Sequence, residues 1–194
     1  IMRWGFEHMQ ADDGGSVCLR LSTRKLSQPD RDLSAERIDD IIAGGYWMVP
    51  PASDAELVVV SVGVVAPEAA EAHAQLLEDL PGAGLLAVTS PDRLHAGWLA
   101  ARRARVSGDT GARAHVERLL AAASDDAALV TVVDAHPATL SWIGSVAGHR
   151  IYPLGVDGFG QSGDIPDLYR AYGIDADAIL DAAARSCARR RGGS

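Results

Sequence analysis

The sequence predicts a three-layer αβα sandwich built on a five-stranded, mostly parallel sheet. Three observations point there. Residues 57–62 (LVVVSV) and 129–133 (LVTVV) are nearly continuous β-branched runs, the pattern of strands covered on both faces. Helical patterns alternate with the strand patterns along the chain, as βα units require. The composition of 47% hydrophobic and only 5% aromatic residues in 194 positions suits one Ala/Val/Leu-rich core rather than several small ones.

The elements follow in order. IMRWGFEHMQ opens within a helical pattern, with Ile1, Met2, Phe6 and Met9 on one side and no capping residue before them. This predicts that the chain is a piece of a longer protein. Strands are predicted at 16–22 (SVCLRLS), 56–63, 84–90, 128–134 and 149–155. Between the first two lies a polar connection, TRKLSQPDRDL, then a helix capped by Ser34 and closed by Gly44-Gly45. The next helix has Pro67 in its first turn, and another is opened by Ser90-Pro91. Helices are also predicted over 110–123 and 138–148, and two more after the last strand, capped by Asp164 and Asp175 with Gly173 between them.

The net charge of −8 excludes a general nucleic-acid or anionic-membrane binder. No apolar stretch has the length of a membrane span, and no secretory signal is evident. The arginines from 185 to 191 fit the solvated end of the last helix. Cys18 and Cys187 lie near opposite ends of the chain and read as two reduced thiols of a cytoplasmic protein. The histidines have no metal-ligand spacing.

One stretch invites a cofactor reading. Gly158-Phe159-Gly160-Gln161-Ser162-Gly163 spells G-x-G-x-x-G after a strand and before a helix. A dinucleotide turn also needs a following parallel strand to carry the ribose-binding acid. Only helical patterns follow here, so the glycines are read as a loop at a strand's carboxyl end, a place that favours ligands or subunit contacts.

Several ordered motifs resemble the transketolase superfamily. FGQSGDIPDLYRAYGID (159–175) resembles its last-strand segment, and LGVDGFGQS (154–162) is closer still to the homodimeric pyruvate dehydrogenase E1 component. LVTVVDAHPATLSWIGSVAGHRIYPLG resembles the preceding unit, AVTSPDRLHAGW an E1 segment, and residues 1–10 the final helix of the pyrimidine-binding domain.

The resemblance implies that residues 1–12 end a pyrimidine-binding domain or form a linker, and that 13–194 form a transketolase C-terminal-like domain. That domain carries a mixed five-stranded sheet with one antiparallel edge strand. It implies thiamine diphosphate and magnesium in the complete enzyme, held by other domains or subunits of a homodimer. No G-D-G followed downstream by an asparagine is present here, so none is expected on this chain alone.

The resemblance further implies that Arg24 binds the anionic end of a substrate, with Arg20 or Lys25 as the matching position if the alignment shifts. A solvated surface role for Arg24 stays open. Ser27 stands where pyruvate-specific E1 enzymes carry a histidine, which weighs against pyruvate and lipoyl chemistry. His136, just past the fourth predicted strand, is an acid/base, substrate-binding, interface or loop-bonding group. The resemblance implies that Asp157, Gly158, Phe159, Gly160 and Ser162 lie near the active-site mouth or dimer contact; Asp157 and Ser162 by themselves read as capping and turn residues. The function implied is a C-terminal part of a thiamine diphosphate-dependent 2-oxo acid dehydrogenase E1 or transketolase-like enzyme, inactive alone. The alternative is a non-catalytic assembly or dimerisation subunit.

Overall fold

The structure is a computed structural model and describes residues 1–22, 25–26 and 32–191. Its sheet has five strands: β1 (Gly45–Val49), β2 (Leu57–Val62), β3 (Gly84–Val88), β4 (Ala128–Val133) and β5 (Ile151–Leu154). They lie in the order β1-β3-β2-β4-β5. β3, β2, β4 and β5 are parallel, and β1 joins β3 antiparallel. The fold is therefore the predicted α/β sandwich with a mixed sheet.

The two central strands bury nearly every residue, which is why they read as unbroken apolar runs. Alternate residues feed two cores. On one face Leu57, Val59, Val130 and Val132 meet α3 (Ala66–Asp79) and α9 (Ala176–Arg191) through Ala69, Ala72, Ile179 and Ala182. On the other, Val58, Val60 and Leu129 meet α4 (Pro91–Val106) and α5 (His115–Leu120) through Leu94, Trp98, Val116 and Leu120. Alanines on the covering helices let them lie close to the sheet. Completing the layers are α2 (Ala35–Ala43), two short helices α6 (Ala138–Ser141) and α7 (Gly144–Ala147), and α8 (Ile165–Tyr172).

The predicted first strand is corrected. Residues 16–22 pair with no strand and are exposed apart from half-buried Val17. The edge strand is instead β1, immediately after the helix it follows. Gly44 makes that switch possible. Its φ of +117° is in the left-handed region, its N–H bonds Asp40 O, and its own carbonyl accepts from Thr89 and Ser90 N–H. An added Cβ there would stand 2.9 Å from both the Leu94 side chain and Ser90 O, so only glycine fits.

Other local expectations divide. Ser34 accepts from Arg37 N–H and Asp175 from Ala178 N–H, as helix caps do. Gly173 closes α8 at φ +63°. Ser90 and Asp164 occupy N-cap positions without a side-chain bond to the helix; the Ser90 hydroxyl instead donates to Asp92 at 2.7 Å. That bond is the main reason the Asp92 carboxyl is held below the usual aspartate range. α5 is shorter than the predicted 110–123 helix, and 138–148 breaks into α6 and α7.

The N-terminal helix α1 (Met2–Gln10) forms as expected. Its apolar residues Met2, Phe6 and Met9 stay about half exposed. Its ties are modest: Trp4 lies under the Arg93 guanidinium at 4.4 Å and stacks on His8. No helix of the described residues is long and apolar enough to cross a membrane.

Candidate functional site at the carboxyl edge of β4 and β5

Of the described candidates, Arg20, His136 and the loop from Asp157 to Ser162 lie at the carboxyl ends of β4 and β5. Ala135, just beyond β4, accepts a backbone bond from Val156 N–H, just beyond β5, at 2.9 Å. This ties together the two loops that carry His136 and Asp157. Gly155 allows the closure. A Cβ at that position would stand 2.6 Å from Ala135 O and 2.9 Å from Pro137 N.

Arg20 reaches this edge from the extended segment after α1. Its Nη2 lies 3.5 Å from Asp134 Oδ2, with the two side chains 74% and 38% exposed. At that distance and exposure the pair is a loose one. It places a guanidinium over the end of β4, where a second anion could share its remaining donors. Arg24, Ser27 and Pro29 lie outside the described residues; Lys25 is exposed.

His136 is exposed, and its Nδ1 accepts the Ala138 N–H at 3.2 Å at the start of α6. This bond gives the ring a loop-holding role and fixes Nδ1 as an acceptor. The other ring nitrogen is left for exchange with solvent or a ligand.

Asp157, Gly158, Phe159, Gly160 and Ser162 are all exposed, Phe159 to 95%. The Tyr172 hydroxyl donates to Phe159 O at 2.8 Å and anchors the loop to α8. A cleft of about 360 Å³ opens beneath it, lined in part by Pro137, Gly155, Asp157, Tyr172, Asp181 and Arg185. Sequence reading singled out Asp157 but missed Asp181 and took Arg185 as part of a solvated tail. Their contribution depends on α9 folding back beside β5, a long-range event with no local signature.

Other histidines and three of the tryptophans serve the fold. His73 is buried and its Nε2 bonds Ala83 O; His149 Nδ1 bonds Ala127 O. Trp98 and Trp142 stack 5.6 Å apart against the α4 core, and Trp47 Nε1 donates to Leu119 O. Both cysteines are free.

Among the described residues no three His, Cys, Asp or Glu side chains gather in a way that would hold a metal ion. The exposed glycine loop offers no enclosed diphosphate cradle.

No protein-family model and no curated protein sequence matches the chain. Solved structures do. Transketolase from Leishmania mexicana is similar over 78% of this chain and 19% of its own, with 20% identity and a TM-score of 0.55. A Pichia stipitis transketolase variant in complex with fructose 6-phosphate is similar over 80% and 19%, at 18% identity and a TM-score of 0.51. Transketolase from Campylobacter jejuni covers 73% of this chain at 17% identity and a TM-score of 0.50. The chain spans about a fifth of the length of these proteins, and what it shares with them is a transketolase-like fold.

Proposed function

We propose that the chain is the C-terminal domain, or a fragment containing it, of a cytoplasmic thiamine diphosphate-dependent enzyme of the transketolase or 2-oxo acid dehydrogenase E1 type. One observation carries this reading. The glycine-loop motif of residues 154–174 sits after the last strand of a sheet whose order and antiparallel edge belong to a transketolase-like fold.

In this reading residues 1–12 close the preceding pyrimidine-binding domain, and the domain proper begins at residue 13. Thiamine diphosphate would supply the carbanion chemistry from the other domains or subunits. This chain's residues bind and orient. Arg24, with Arg20 beside the end of β4, would attract the anionic end of the substrate, and His136 would line the same edge. The loop from Asp157 to Ser162 would shape the mouth and meet the second subunit. The half-exposed apolar face of α1 and the exposed Phe159 also favour a purely assembly-related role, in which the domain only holds the dimer together.

Two measurements test this. Calorimetry of the isolated chain with thiamine diphosphate and magnesium should give no binding at micromolar concentrations, whereas the complete enzyme should bind. Micromolar affinity of the chain alone would defeat the assignment. In the complete enzyme, Arg24→Ala should lower kcat/KM for anionic substrates about 10- to 150-fold, the loss of about 1.5–3 kcal/mol for a charge-assisted bond. Arg24→Lys should recover part of it, because an ammonium lacks the planar fork. Unchanged kcat/KM in the alanine variant would favour the assembly role.

A further inference from the structure

A second cleft, of about 590 Å³, lies where α4 meets α5 and shares no lining residue with the one at the β4–β5 edge. It is lined by Arg105, Arg113, Glu117, Arg118 and Ala121. Three guanidiniums thus face one carboxylate in a chain whose net charge is −8.

The single carboxylate is fully used. Glu117 takes a two-pronged contact from Arg105, at 2.7 and 3.1 Å, and also accepts the Ala114 N–H at 2.7 Å. The Arg105 contact is the chief reason the Glu117 carboxyl is held below the usual glutamate range. The nearby acid Asp109 accepts from Gly111 N–H within its own turn.

Arg113 and Arg118 have no carboxylate partner among the described residues. They are held by neutral acceptors. Arg113 Nη1 donates to Thr110 O and Ala112 O, at 3.3 and 3.1 Å. Arg118 Nη1 donates to Arg113 O at 3.3 Å, and its Nη2 meets His115 Nδ1 at 3.4 Å. The His115 ring supports that geometry, since its Nε2 is 2.7 Å from Gly45 O. A proton on Nε2 serves that carbonyl and leaves Nδ1 as acceptor for Arg118.

Two charged forks are therefore oriented by the backbone and by a histidine; neither bonds a carboxylate, although Arg113 lies within Coulombic reach of the already paired Glu117. Most of the donors on Arg113 remain unused, as do those on Arg118 beyond two. Such a pair matches a group with two negative charges and several acceptor oxygens.

We propose that the α4–α5 cleft binds a phosphate-class dianion through Arg113 and Arg118, with the Arg105–Glu117 pair as its rigid wall. The site is independent of the cofactor and substrate assignments at the carboxyl edge.

The test is titration of the whole chain with inorganic phosphate at low ionic strength, followed by amide chemical shifts. Phosphate should bind with a Kd of about 1 mM, a value suited to an exposed site. Shifts should concentrate at residues 110–118 and weaken as sodium chloride is added. Arg113→Gln combined with Arg118→Gln should weaken binding at least about tenfold, as loss of paired charge-assisted contacts requires, with an unchanged far-ultraviolet spectrum.

Arg20→Gln, at the other edge, should leave binding unaltered. A short peptide carrying one phosphoserine, titrated in parallel, separates the sources. Tighter binding than phosphate indicates a phosphate presented by a protein, and weaker binding a free small molecule. The proposal is overturned if phosphate shifts no resonance in 110–118 in the millimolar range, or if the double variant binds as well as the parent. It is also overturned if acetate, with one charge, binds as tightly as phosphate.

Discussion

At the scale of single residues the candidate site depends most on Gly155. Its backbone φ is outside the left-handed region, so the requirement is one of space and not of conformation. The Cβ of an alanine would meet two main-chain atoms, Ala135 O and Pro137 N, inside contact distance. Neither belongs to a flexible side-chain end that could swing away. Gly155→Ala should therefore push the two loops apart, break the Val156–Ala135 bond and cost about 1–3 kcal/mol. For a chain of this size that is a fall in Tm of roughly 2–12 °C, from about 2–4 °C per kcal/mol. Thermal denaturation reads it directly. Gly160→Ala is the control, because a Cβ there meets nothing within 4 Å; equal losses in the two variants would show that the closure does not depend on Gly155.

At the scale of elements, α1 and the segment after it stand apart from the sheet. α1 buries only Gly5, and none of its side chains enters either core. Removal of residues 1–12 should lower Tm by no more than a few degrees, because what is lost is one cation–π contact and a partly wet surface. Circular dichroism and a melting curve of the shortened chain check this; a molten or unfolded product would mean that α1 is an integral part of this domain's fold.

The same segment explains where sequence and structure part. Val17, Leu19 and Leu21 alternate as a half-buried strand does, yet Leu21 is 74% exposed. Alternation records that a segment is fit to pair, while pairing itself requires a partner that no local pattern names. β1 was missed for the converse reason. Its five residues are squeezed between Gly44 and the Pro50-Pro51 pair, and its register shifts between Trp47 and Val49. Those neighbours look like a loop, and the strand is held by its antiparallel pairing with β3. β2 and β4 were legible because burial on both faces leaves its mark in each residue. The glycine loop follows the last strand, as its own glycines indicate, whereas the cleft beneath it left no local mark, since Asp181 and Arg185 arrive from a helix that folds back from the chain's far end.

At the scale of the whole molecule, exposed apolar side chains are unevenly distributed. Ile1, Met2, Phe6, Met9, Leu19, Leu21 and Leu33 all precede the first sheet strand, and Phe159 is 95% exposed in the glycine loop. The sheet and its covering helices, in contrast, have most of their large aliphatic residues in two cores, with Val106, Val49 and Leu77 as exposed exceptions. The proposed enzyme should use these exposed groups in a two-fold dimer. Where two copies of this domain face each other, each contributes a charge of −8 and they repel, so the attraction between them must come from apolar burial. Added salt screens the repulsion and leaves the burial intact, so dimerisation should strengthen between low and moderate ionic strength. An interface held by ion pairs would weaken over the same range. Phe159→Ser removes one large aromatic group from each half of the contact, worth about 2 kcal/mol apiece if fully buried there, and should raise the dimer Kd by about 800-fold. Sedimentation equilibrium of the complete enzyme and its Phe159 variant, each at two salt concentrations, measures both effects. A monomeric complete enzyme would remove the dimer altogether, and a dimer that Phe159→Ser leaves unchanged would move the contact away from the glycine loop.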